Sequence, residues 1–353
     1  MAGFDVTTIN GTYHNTSLDN QFGVQDQYLT CHIQRSTQMT TALVICIFGL
    51  LGNCAFVYAV ARIPTLRSTL DALLVNLAFA DSFYLLGNAM ICICVLQDYM
   101  QCVFVSNLVA NCSVIIFNAI ALYASTFTIL AISFERYFAV CKPLRHHSSG
   151  VTPQTKTAFY IAACWLFSLL ITAVLVSVVE CQRSTYFLWK KIFVELVSIL
   201  VILVPMLLIT MWYIAIIREL KKRSHSTENT KDSANKDDKQ VVRMCAITAA
   251  LTFFFHFPKW LLDVIELLEV EVDDVLNITL DFKVCLNNFS VYFLLLNSTV
   301  NIFIYNATSS RYRRAFLKAF CSNKKIMPSP TELTLTPSPN ERNFMHHTLS
   351  VLR

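Results

Sequence analysis

The chain has 353 residues, of which 55% are apolar and only 14% charged, with 26 Phe and a formal net charge of +5. Soluble globular domains carry about 45–50% apolar and about 25% charged residues, so this balance excludes an ordinary soluble enzyme and a disordered chain alike. What remains is a protein with most of its length in lipid.

Residues 1–38 are polar and lack the basic start and apolar centre of a cleavable signal peptide, so the first span has to act as the targeting signal. Apolar stretches long enough to cross a hydrocarbon core of about 30 Å then recur seven times. They lie near 39–61, 70–97, 107–141, 156–179, 190–217, 239–265 and 283–306. The pattern predicts an all-α membrane protein whose seven-transmembrane helix bundle occupies 39–306. Asp81, Asn88, Asn107, Asn118 and Ser125 interrupt the second and third spans, which leaves their ends soft. The third cytoplasmic loop, expected at roughly 218–240, is short and highly charged, with no room for another domain. Past the last span, Tyr312, Phe316 and Phe320 alternate with Arg311, Arg313, Arg314 and Lys318 at helical spacing. Residues 307–321 therefore read as an amphipathic helix lying on anionic lipid, with Cys321 at its end as a palmitoylation site. The remainder, 322–353, reads as a disordered cytoplasmic tail, Ser/Thr/Pro-rich and phosphorylatable at 328–340.

Basic residues are retained on the cytoplasmic side of a membrane. Of the 28 Lys and Arg, 21 fall in the turns after spans one, three and five or in the tail, and 5 in the N-terminus and the other turns. The N-terminus is therefore expected outside and the C-terminus inside, at the plasma membrane. The remaining two, Arg136 and Lys259, sit within or at the edges of spans. Asn10, Asn15 and Asn277 begin glycosylation sequons on the outer side, in keeping with this orientation.

Thirteen Cys are scattered without metal-ligand spacing. Cys46, Cys54, Cys92, Cys94, Cys164 and Cys245 lie in apolar segments and read as small buried hydrophobes. On the outer side, Cys181 has two available partners, Cys112 at the top of span three or Cys102 in the preceding loop. Cys112 is preferred, since a bridge from a helix end pins the loop over the bundle. Cys31 and Cys285 form a second candidate pair. No cofactor, catalytic set or nucleic-acid partner is expected, because the His residues form no compact set and most lie in loops or tails.

Ionisable groups inside lipid are costly and mark function. Gly52-Asn53 in span one, Leu77-Ala78-Phe79-Ala80-Asp81 in span two, Glu135-Arg136-Tyr137 closing span three, Trp165 in span four, and Pro205 with Tyr213 in span five occur in that order. In this the chain resembles the rhodopsin-like, class A, G-protein-coupled receptors. The resemblance implies that Arg136 is held by its neighbouring acid in the resting state and meets the heterotrimeric G protein in the active one. Asp238 is expected as a further acidic partner for Arg136. Asp81, Asn53, Asn301 and Ser133 are expected to share a polar network, with a sodium ion at Asp81. The tail implies receptor kinase and arrestin as further partners.

Two positions depart from the family pattern. Span six reads Phe255-His256-Phe257-Pro258 where a Trp is usual two residues before the proline, so His256 stands at the aromatic switch while Pro258 still kinks the helix. Span seven reads Asn301-Ile302-Phe303-Ile304-Tyr305, with Ile302 where the family has proline. Asn118 stands where amine receptors have Asp, and Leu295 where opsins have the retinal Lys, so neither ligand is expected.

Glu266, Glu269, Glu271, Asp273, Asp274 and Asp281 form an acidic outer rim suited to steering a basic peptide. Glu266 is the leading ligand-facing charge, with Asn118, His256 and Tyr292 below it. Glu135-Arg-Tyr-Phe-Ala-Val-Cys-Lys-Pro-Leu-Arg145 and Leu294-Leu-Leu-Asn-Ser-Thr-Val-Asn301 carry a narrower similarity to invertebrate neuropeptide receptors related to FMRFamide receptors. It implies a short amidated peptide ligand. A lipid or other small non-amine ligand is the alternative, since Phe-rich outer spans suit it as well.

Overall fold

A computed structural model describes residues 35–97, 108–143, 152–179, 188–226, 232–271 and 280–321. Within them run eight helices: α1 Arg35–Arg62, α2 Thr69–Leu96, α3 Leu108–Cys141, α4 Pro153–Val179, α5 Leu188–Ser226, α6 Asp232–Glu271, α7 Leu280–Thr308 and α8 Ser310–Phe320. The first seven are long and apolar enough to cross a membrane, so the chain is a seven-helix membrane bundle with a short additional helix. Hydrocarbon offers the backbone no hydrogen-bond partners, which is why each span is an unbroken helix. Even α5 and α6 continue past Pro205 and Pro258.

The outer surface is as apolar as the interior. Phe48, Leu51, Phe159, Leu207 and Phe303 are each at least 60% exposed, the reverse of a water-soluble fold and the arrangement lipid requires. The helices α1, α2 and α7 pack together, and α3 sits among α2, α4 and α5. The largest buried cluster gathers Phe56, Leu73, Leu77, Ile129, Tyr213, Ile216, Met244, Tyr305 and Tyr312, closing the cytoplasmic half. Toward the outside the core divides. One part holds Met39, Cys46, Leu85, Leu294 and Leu295, and the other holds Tyr123, Leu175 and Val194.

Several expectations change on contact with the structure. The segment 218–240 is largely absorbed into helix, because α5 runs on to Ser226 and α6 starts at Asp232. Cys54 is exposed on the lipid side of α1 rather than buried. Cys94 is not a buried hydrophobe with a free thiol: it is disulfide-bonded, as are Cys112 and Cys285. Cys31, Cys102 and Cys181 lie outside the described residues, as do Asn10, Asn15, Asn277, Asp273, Asp274 and the tail beyond Cys321.

The helix α8 is also turned differently from expectation. Its Tyr312 does not face lipid but is fully buried against Phe56 and Tyr305, with ring centroids 5.9 and 6.0 Å away. The Tyr312 hydroxyl donates to Asp71 Oδ1 at 2.7 Å, and Arg311 Nη2 donates to Asp71 Oδ2 at 2.6 Å. Asp71 is completely buried in the first turn of α2, where it also closes a capping box with Ser68. Burial and the adjacent carboxylate push the Tyr312 phenol well above its ordinary pKa, so it remains a donor at neutral pH. Leu317 and Phe320 are left to meet the bilayer.

Candidate functional site

Polar side chains inside the bundle fall into three levels along the membrane normal. The middle level is built on Asp81, wholly buried on α2. Its Oδ1 accepts from Ser125 Oγ of α3 at 2.8 Å, and its Oδ2 accepts from Asn301 Nδ2 of α7 at 2.7 Å. Asn53 Nδ2 of α1 donates to the Ser298 carbonyl at 2.9 Å, one turn above Asn301. One carboxylate and one carbonyl thus tie four helices in the buried middle of the bundle. Ser133 is not part of this set, since its hydroxyl bonds the Ile129 carbonyl of its own helix at 2.8 Å. A parallel relay that the sequence reading missed runs from Trp165 Nε1 to Asn76 Oδ1 at 2.9 Å and from Asn76 Nδ2 to Thr128 Oγ1 at 2.7 Å.

At the cytoplasmic level, Glu135 is buried and Tyr160 of α4 stands against it. Arg136 points its Nε into the bundle without a hydrogen-bond partner. The Tyr213 and Tyr305 hydroxyls are likewise buried and unpartnered. Tyr137 stacks on Trp212 at 6.4 Å. The described side chains of α6 begin at Lys239, so the contact expected between Asp238 and Arg136 lies outside the described residues.

The outer level differs most from the sequence reading. Asn118 is half-buried against α2, so close that a Cβ on Gly87 would lie 1.9 Å from its Oδ1. Tyr292 donates to the Gln38 carbonyl at 3.1 Å, joining α7 to α1. His256 is buried with Nδ1 on the Thr252 carbonyl at 2.8 Å, and its Nε2 has no partner. His256 and Trp260, one turn further out, line a cavity of about 70 Å³ between α5 and α6 with Ile202, Met206 and Phe257. Glu266 is half-buried on α6.

One turn inward from Glu266, a charged group went unread. Lys259 Nζ donates to Asp263 Oδ1, both side chains being buried, and Glu195 of α5 stands within electrostatic reach of both. A signal existed: Lys and Asp at i,i+4 inside an otherwise apolar run is the spacing of a helical ion pair, and a charge in a span marks function by default.

Seven lipid-facing helices, a buried carboxylate knot at mid-membrane and an Arg at the inner end of α3 define a membrane signal receptor. The family described as 7 transmembrane receptor (rhodopsin family) matches residues 52–305, most of the chain. The chain belongs to this family: it is a class A, G-protein-coupled, multi-pass plasma-membrane receptor and not an enzyme. Among its relatives, somatostatin receptor type 5 of Rattus norvegicus is 24% identical over 291 residues, covering 79% of this chain and 76% of the relative. Somatostatin receptor type 2 of Mus musculus is 26% identical over 294 residues, with coverages of 79% and 75%. Type 3 of Homo sapiens is 25% identical over 317 residues, with coverages of 85% and 71%.

Proposed function

We propose that this receptor is activated by an extracellular peptide and transmits that event to a heterotrimeric G protein. The observation carrying the proposal is the Asp81 knot, which joins α2, α3 and α7 between the outer-level polar side chains and the Glu135-Arg136-Tyr137 end of α3. A ligand that prefers one arrangement of this knot shifts the population of the whole bundle, and the G protein is recruited where the inner ends of α5 and α6 part from α3. The peptide class is supported by the named ligand of the relatives and by buried charges in the outer third of α5 and α6.

A sodium ion suits the surroundings of Asp81. The Asp81 carboxylate, Ser125 Oγ and the buried, unpartnered Ser298 Oγ supply hard oxygen donors on three helices. When bound, the ion supplies positive charge beside a carboxylate that has only neutral donors. Cys321, a free exposed thiol just past α8, is placed for palmitoylation at the membrane surface. The tail is proposed to serve receptor kinase and arrestin.

The test is calcium and cyclic-AMP signalling in cells expressing the chain, challenged with a library of short peptides, amidated and non-amidated, beside Arg136→Ala at matched surface expression. A saturable response to one peptide series that Arg136→Ala abolishes supports the reading. Restriction of the response to amidated peptides ending in a basic residue and Phe supports the finer RFamide assignment. Silence with verified surface expression overturns the peptide reading in favour of a lipid or other small ligand.

A further inference from the structure

We infer that the outer ends of α5 and α6 form a cation-binding site in which Glu195 and Asp263 receive the basic side chain of the peptide. The inference rests on the peptide-receptor reading above and adds the chemistry by which the ligand is recognised.

Among the described residues, two carboxylates here share one ammonium. Lys259 satisfies Asp263 Oδ1, while Asp263 Oδ2 and Glu195 Oε2 are both buried with no hydrogen-bond partner. Asp263 is fully buried and Glu195 is 7% exposed, so neither orphaned oxygen is relieved by solvent. Ser198 Oγ, one turn along α5 from Glu195, is buried and unpartnered as well. A buried charge without a partner is costly, and helices keep such groups in lipid where something else completes them. The missing component is a positive charge carrying several N–H donors: an ammonium or a guanidinium. Neutral or anionic ligands leave the imbalance standing.

The position lies near the outer ends of its two spans. At ~1.5 Å per residue, Glu195 lies roughly 5 Å and Asp263 roughly 8 Å inside the outer ends of spans running Ile192–Lys222 and Lys239–Leu268. Glu266, one turn above Asp263 and within electrostatic reach of Glu195, extends the negative path toward the surface. Tyr123 of α3 stands within electrostatic reach of both carboxylates. On the same helix, Asn118 offers no charge, so α5 and α6 carry the recognition that amine receptors place on α3.

The experiment uses the full chain in cells and the most potent active member of the peptide library, compared with the same peptide in which each Arg is replaced by citrulline or each Lys by norleucine. In the native receptor, one such replacement should lower potency about 30-fold or more, as expected when one partner of a buried charged contact is removed. In Glu195→Gln and in Asp263→Asn, charged and neutral peptides should become equipotent within a few-fold. Because Asp263→Asn strands Lys259, the double variant Lys259→Met, Asp263→Asn is run beside it at matched surface expression. Retention of the full charge preference in Glu195→Gln and in the double variant would overturn the site while leaving the peptide reading intact. A library without any active peptide would instead remove the reading on which the site rests.

Discussion

Gly87 and Asn118 show how little room a single atom has between α2 and α3. A methyl group on Gly87 would meet Asn118 Oδ1 at 1.9 Å, and that oxygen is already buried without a partner. Gly87→Ala is therefore expected to destabilise the receptor by about 1–3 kcal/mol through overpacking. Asn118→Ala should recover most of the loss, and thermal denaturation of the detergent-solubilised single and double variants measures it. At Asp81 the argument concerns hydrogen bonds. Asp81→Ala strands the Ser125 hydroxyl and the Asn301 amide, at about 1–3 kcal/mol per buried donor. Asp81→Asn keeps the shape and should fold well, and the two variants are separated by surface expression at equal synthesis. Ile302 belongs to the same scale. Where proline would have kinked α7, its Cγ2 lies 3.0 Å from a Cβ built on Gly52, so the branched side chain fills the space that the glycine leaves against α1.

At the level of helices, the most specific arrangement is the docking of α8. Asp71 binds Ser68, Arg311 and Tyr312 together, so Asp71→Ala removes the capping box and the acceptor of the buried Tyr312 hydroxyl while Arg311, one-third exposed, turns to solvent; the change is expected to cost about 2–4 kcal/mol and to lower surface expression. Tyr312→Phe keeps the ring and loses one charge-assisted bond, about 1.5–3 kcal/mol, and the same expression assay ranks the two. A second clasp joins α8 to α6. Gln240 Oε1 accepts from both Ser310 N at 3.2 Å and Ser310 Oγ at 2.7 Å. Outward movement of the inner end of α6 breaks both bonds, so Gln240→Ala is expected to raise ligand-independent signalling about 5- to 30-fold, for a shift of ~1–2 kcal/mol. Basal cyclic-AMP or calcium signalling reads this out.

These elements also mark what was legible in advance. Span number and order followed from hydrocarbon thickness, and Asn53, Asp81 and Asn301 stood out because polar groups in lipid demand partners. Ser68-Thr-Leu-Asp71 was readable as a capping box, but nothing local announces that its carboxylate also holds a tyrosine and an arginine 240 residues away. The alternation of aromatic and basic residues in α8 fixed its amphipathicity without saying which aromatic faces bilayer and which faces protein. Tyr312 sits in the turn nearest the bundle and is taken by it, while Phe320 at the far end remains exposed. Cys94 was misread because an apolar neighbourhood describes a buried thiol and a disulfide near a helix end equally well.

For the whole molecule, the division of the core carries the functional account. The cytoplasmic half is closed by one large apolar cluster, while the outer half splits into two and leaves α5 and α6 to present Glu195, Lys259 and Asp263. A ligand engaging those groups acts on the two helices whose inner halves carry Tyr213 and Cys245 beside Arg136. Binding outside and G-protein binding inside are then one equilibrium, and linkage requires each to strengthen the other by the same factor. The most direct measurement is the affinity of the active peptide for receptor in membranes with nucleotide-free G protein and again after a non-hydrolysable GTP analogue releases it. The account predicts a fall in peptide affinity of about 5- to 150-fold on release, and a smaller fall in Arg136→Ala. A peptide that binds the native receptor saturably, with an affinity indifferent to the G protein, would contradict it.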